Sequence, residues 1–196
     1  MLRQLLLGLT LTSIFSCKNN VQTVNNSNKV DTSLKILVYG LPDREQRRAM
    51  NTVAKKYDFH YYPVAGCVVS EHLLDSVNKE NKKVYEILEQ KFGKNWRLTF
   101  AAQVDTMKNL QRQVEELVKK ESYITDKENE LEKDDNGLDY LIEPIVGQET
   151  FGVKAYGWGQ WNGKTQLVIY YKLTVDLTKK IVIKNSDVVE KLFNRS

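Results

Sequence analysis

The stretch Phe59-His60-Tyr61-Tyr62-Pro63-Val64-Ala65-Gly66-Cys67-Val68-Val69-Ser70-Glu71-His72 decides how this chain folds. Phe59 to Val64 is aromatic and strand-like. Gly66-Cys67 makes a turn, and Ser70-Glu71 supplies the side-chain acceptor and the negative charge that open a helix. A strand that turns through glycine into a helix either presents a side chain or forms an ordinary junction within a core. The same stretch holds both histidines, His60 and His72, and the one internal cysteine, Cys67.

On its N-terminal side, Leu34 to Gly40 is an apolar, β-branched run stopped by Gly40 and Pro42, and it reads as a strand. Asp43 caps a helix over 44–57. Ala49, Met50, Val53 and Tyr57 recur at helical spacing, and Arg44, Arg47, Arg48, Lys55 and Lys56 form a solvated face. Strand, helix and strand predict a βαβ crossover with parallel strands. Gly40-Leu41-Pro42-Asp43 lacks the repeated glycines and the lysine of a phosphate-binding loop.

On its C-terminal side, the apolar positions Leu74, Val77, Val84, Ile87, Leu88 and Phe92 describe a helical stripe interrupted by Asn81 and ended by Gly93. Asn95 opens a second helix whose stripe is Trp96, Phe100, Val104, Met107, Gln111, Val114, Leu117 and Val118. A connection this short predicts an antiparallel helical hairpin. Residues 119–139 are charge-dense and read as a fraying helix end and a solvated loop. Within and just beyond them, Glu132, Asp134, Asn136, Gly137 and Glu143 match positions of a calcium loop resembling the EF-hand. Asp139 stands where that loop wants an apolar residue, and Pro144 blocks its exiting helix.

Asn162-Gly163 between two long β runs calls for a two-residue type I′ hairpin over 150–175. That turn predicts Trp158 opposite Leu167, Tyr156 opposite Ile169 and Lys154 opposite Tyr171, with Leu173 and Val175 on the same buried face. The other face carries Gly157 and Gly159, a shallow trough rimmed by Trp161 and Tyr170 that is a candidate ligand or peptide groove. Ile181 to Ile183 is a third strand, and Ser186 or Asp187 caps a final helix through Phe193. The fold expected is α+β: a βαβ unit, a long antiparallel helical hairpin and a C-terminal antiparallel meander, joined in one mixed sheet. Residues 34–196 form a single globular domain.

The N-terminus sets the compartment. Met1 to Gln4 is a short basic segment, and the apolar run from Leu5 to Phe15 is too short to span a bilayer. Ile14-Phe15-Ser16-Cys17 resembles the lipobox of bacterial lipoproteins, with Phe15 bulkier than that family's usual residue. The resemblance covers residues 1–17. It implies a signal peptide over 1–16, lipid (palmitate among the acyl chains) on Cys17, and a cell-envelope location, periplasmic or outer-surface, with the membrane as partner. Residues 17–33 are polar and Asn-rich, so they read as a flexible tether reaching about 20–25 Å.

The net charge of +4 is small and scattered, which excludes a nucleic-acid binder. No cofactor motif is present. Cys67 has three readings: a small buried apolar residue, a reactive thiol served by His60 or His72, or a metal ligand with both. The residues offer no serine elbow, no metal-ligand spacing of a known kind and no paired carboxylates in an apolar setting. A binding or structural module, with a protein partner on the hairpin or the sheet face, therefore ranks ahead of a thiol-dependent enzyme.

Overall fold

Parallel pairing of Leu34–Tyr39 (β1) with Phe59–Ala65 (β2) brings the two ends of the first unit together, Ile36 opposite Tyr61. The computed structural model describes residues 34–40, 43–146 and 149–192. The lipobox, the tether and the end of the expected final helix lie outside them. Between β1 and β2 runs α1, Arg44–Ala54, extended by a 3-10 turn over Lys55–Tyr57. Asp43 caps it by accepting from the Gln46 N–H at 2.8 Å.

The two long helices follow as α2, Glu71–Phe92, and α3, Trp96–Val118. Ser70 accepts from the Leu73 N–H, and Gly93 closes α2 at φ +88°. The α3 stripe is buried at Trp96, Phe100, Val104, Met107, Gln111, Val114 and Val118. Contact between α2 and α3 is sparse. α3 packs chiefly on α1, and α2 chiefly on β1. Ile87 and Phe92, expected in the α2 seam, are exposed. The charged stretch after α3 is not a loop: Ser122–Glu132 forms a further helix, α4, held by buried Ile124 and Leu131.

Asp139–Val146 (β3), Thr150–Trp161 (β4), Lys164–Asp176 (β5) and Ile181–Ser186 (β6) make an antiparallel sheet in that order. The edge strand β3 had no sequence expectation, and its Pro144 suits an edge. Glu190–Lys191 (β7) pairs with β5, where a helix was expected. The fold is mixed α+β, but it carries two sheets, not one.

Side chains bond the backbone at the edges of β1 and β3. The Asn81 amide Oδ1 accepts from the Leu37 N–H and its Nδ2 donates to the Leu37 carbonyl, both at 2.8 Å, along β1. Arg48 donates to the Tyr140 carbonyl and Gln111 to the Ile142 carbonyl, alternate residues of β3. Backbone groups satisfied this way have no call for a neighbouring strand.

The β4–β5 turn is as expected, with Asn162 at φ +50° and Gly163 at φ +74°. Trp158 faces Leu167 and Tyr156 faces Ile169, but Lys154 pairs with Lys172 because Tyr170 is an extra residue on β5. Ile169, Leu173 and Val175 are buried as expected, but β4 turns its other face inward, and the bulge in β5 lets Val168 and Leu173 both reach the core. Phe151, Val153, Ala155 and Gly157 turn inward with Val168, Leu173 and Val175, whereas Lys154 is exposed and Trp158 is 50% exposed.

Candidate functional site

The anticipated trough over Gly157 and Gly159 is filled by the protein itself. A Cβ at Gly157 would stand 2.6 Å from the Gly137 carbonyl oxygen, and one at Gly159 would strike the Tyr170 hydroxyl. The Tyr170 ring lies along both glycines, and its hydroxyl donates to the Trp158 carbonyl at 2.8 Å. Burial raises the Tyr170 pKa, with Lys127 opposing that rise and Glu130 adding to it. Trp161 packs half-buried against the same core. These four residues build a close-packed seam in place of an open groove.

Cys67 stands differently from the buried reading. Cys67 is exposed in the turn between β2 and α2, so it is not the small buried residue expected of a free cysteine. His72 is exposed in the first turn of α2, and His60 is half-buried on β2. Among the described residues no three His, Cys, Asp or Glu side chains gather as a metal site. The calcium spacing also fails on geometry. Glu132 ends α4, Asp134 and Asn136 lie in the following turn, and Glu143 sits in β3, paired along its length with β4. A segment laid out as a strand cannot curl its carboxylates around one ion. Glu143 pairs instead with Lys55.

An exposed thiol outside a core has a direct consequence. In the native protein with Cys17→Ser, Cys67 is expected to react with a maleimide at neutral pH about as fast as in denaturant. Cys67→Ala should change stability by less than about 0.5 kcal/mol. Protection of the thiol until unfolding would contradict its placement.

The concave surface lies on the α1 side of β1 and β2. A cavity of about 450 Å³ is lined by Arg44, Arg48, Lys55, His60 and the edge of β3. Its cations are largely engaged: Arg44 with Asp139, Lys55 with Glu143, and Arg48 with Glu115 at 2.9 Å. Burial raises the Glu115 carboxyl, but hydrogen bonds from Lys119 and Arg48 outweigh it and hold the pKa below the usual carboxylate range. Behind this pair, buried Gln111 donates to Thr52 Oγ1 at 3.0 Å and to the Ile142 carbonyl at 2.9 Å, tying α3 to α1 and β3.

Arg47, Asn51 and Tyr61 form the wall shared with a second cavity, of about 580 Å³. It opens at the carboxyl ends of the strands, where Val38, Tyr39 and Pro63 meet Met50 of α1. Both volumes lie in the range of small-molecule sites, about 300–1,000 Å³. Among the described residues, Arg47 is the one charged side chain lining the second cavity, and it has no carboxylate partner. Burial raises the Tyr61 pKa, aided by Tyr85, so its hydroxyl stays protonated at neutral pH.

Sequence reading placed Arg47 on a solvated basic face and passed over Asn51. The available signal was their spacing of one helical turn beside Met50, at the end of a parallel strand pair where α/β units bind ligands. No protein-family model, no curated protein and no solved structure matches the chain.

Proposed function

We propose that this protein is a lipid-tethered binding module of the bacterial cell envelope, with its ligand held at the carboxyl ends of β1 and β2. The observation that carries the binding half is the apolar cavity of about 580 Å³, where Arg47 is the one charged residue among the described lining and lacks a carboxylate partner among the described residues. The tethering half rests on the sequence Ile14-Phe15-Ser16-Cys17 and the polar stretch behind it. Among the described residues no helix is long and apolar enough to cross a membrane, so membrane attachment in this reading depends on the lipid.

Several acyl chains on one cysteine hold far better than one, because each buried methylene contributes about 0.8 kcal/mol. Expressed in a bacterium given radiolabelled palmitate, the chain is expected to carry label and to sediment with membranes. Cys17→Ala should lose the label and leave the membrane fraction. A wild-type chain that takes up no label would overturn the tethering half.

A further inference from the structure

The lining of the second cavity specifies its ligand more narrowly than a binding module requires. Five of its described lining residues, Val38, Tyr39, Met50, Tyr61 and Pro63, are apolar or aromatic, so the body of the ligand is apolar. Among the described lining residues there is one guanidinium and no carboxylate. A cationic ligand therefore gains nothing there.

The count of positive charges also separates kinds of anion. A phosphate dianion draws on several cations or on the free amides of a helix N-terminus. Here the first turn of α1 is already served: the Gln46 N–H donates to the Asp43 carboxylate at 2.8 Å, and the Arg47 N–H donates to the Asp43 carbonyl at 3.0 Å. Asp43 also sets its own negative charge at that end. One guanidinium, with the Gln46 and Arg47 amides already engaged, matches a monoanion, and a planar guanidinium fork matches a carboxylate with two parallel hydrogen bonds. Asn51, one turn along α1, and the protonated Tyr61 hydroxyl add neutral donors on the same wall.

We infer that this cavity takes an amphipathic monocarboxylate, its carboxylate on Arg47 and Asn51 and its compact apolar body against Met50, Tyr39 and Val38. The inference rests on the binding-module reading above and narrows it to a ligand class.

The test is calorimetric titration of the full chain in phosphatidylcholine nanodiscs, with empty nanodiscs as reference. Three probes share one body: 3-phenylpropionate, 3-phenylpropanol and 3-phenylpropylamine. The carboxylate is expected to saturate at millimolar concentration or below, the alcohol to bind at least about tenfold more weakly, and the amine to give no saturable heat. Arg47→Ala should weaken the carboxylate at least about tenfold, leave the alcohol unchanged and keep the melting temperature, because Arg47 is an exposed side chain. Met50→Trp, which fills the apolar half, should abolish binding of both.

Equal binding of carboxylate and alcohol, or an Arg47→Ala chain with unchanged carboxylate affinity, overturns the carboxylate assignment. Met50→Trp then decides what survives: loss of binding in that variant keeps the cavity as a binding site. Saturation by none of the probes overturns the carboxylate assignment and the binding-module reading together.

Discussion

Gly157→Ala is expected to lower the melting temperature by about 6–12 °C. The new Cβ would stand 2.6 Å from the Gly137 carbonyl oxygen and 3.5 Å from Leu131 Cδ1. The first of these is backbone, so no rotamer relieves it. The Gly137 segment and β4 must move apart, in a region where Leu131, Leu138 and Ala155 are buried. Overpacking of this kind costs about 3 kcal/mol at the upper end of its usual range. Each kcal/mol is worth about 2–4 °C in a domain of this size.

Gly159→Ala makes the internal control, because its obstacle is a side chain. The added methyl meets the Tyr170 hydroxyl and, at 2.8 Å, Val168 Cγ2. Removing the phenol with Tyr170→Ala should therefore recover part of the cost of Gly159→Ala and little of the cost of Gly157→Ala. Thermal unfolding of the two double-mutant cycles measures this. A Gly157→Ala protein that melts within a degree of wild type would show that Gly137 does not lie against the strand.

Asn81→Leu is the second large loss, expected to cost about 3 kcal/mol. Asn81 is 6% exposed, and its amide answers both polar groups of Leu37, donor to acceptor and acceptor to donor. Leucine keeps the volume and leaves a backbone N–H and a carbonyl with no partner, each costing about 1–3 kcal/mol when buried. The Asp variant separates pairing from packing. Asn81→Asp retains an acceptor for the Leu37 N–H, but its ionised form sets negative charge against the Leu37 carbonyl. Only the protonated acid can donate there, so folding raises that carboxyl's pKa. The stabilising protonated contact is present at low pH and lost as pH rises through the raised value. Denaturant titrations of Asn81→Asp should show its deficit against wild type narrowing toward acid pH. A pH-independent deficit would mean that the carbonyl bond contributes nothing.

These two sites also show what the chain disclosed before its fold was known. The α3 stripe from Trp96 to Val118 was legible because nearly every member faces the core, which is the condition for a helical period to appear in sequence. α1 and β2 were legible for similar reasons, and Asn162-Gly163 fixed its turn because both residues sit at positive φ. The division into two sheets was not legible. It depends on Asn81 reaching Leu37 and on Arg48 reaching Tyr140, contacts spanning 44 and 92 residues that no local pattern encodes. α4 was missed because charge dominates its window and Ile124 and Leu131 are its two buried residues.

The functional surface was hidden for a related reason. Cys67, His60 and His72 drew notice because their chemistry is rare in this chain, yet rarity says nothing about placement. Arg47 and Asn51 are ordinary residues on a polar helix face. The ends of β1 and β2 make that face the wall of a cavity, and they belong to other segments of the chain.

The bulge at Tyr170 bears on how this sequence can change over generations. Dropping that residue returns β5 to regular alternation, with Tyr171, Leu173 and Val175 still opposite Ala155, Val153 and Phe151. The ring over Gly159 would then be gone, leaving Val168 Cγ2, 2.8 Å from where a Cβ at 159 would stand, as the remaining obstacle there. Position 157 keeps its own constraint through the Gly137 carbonyl. Loss of the residue at 170 thus relaxes the demand for glycine at 159 without ending it, and leaves the demand at 157 in place.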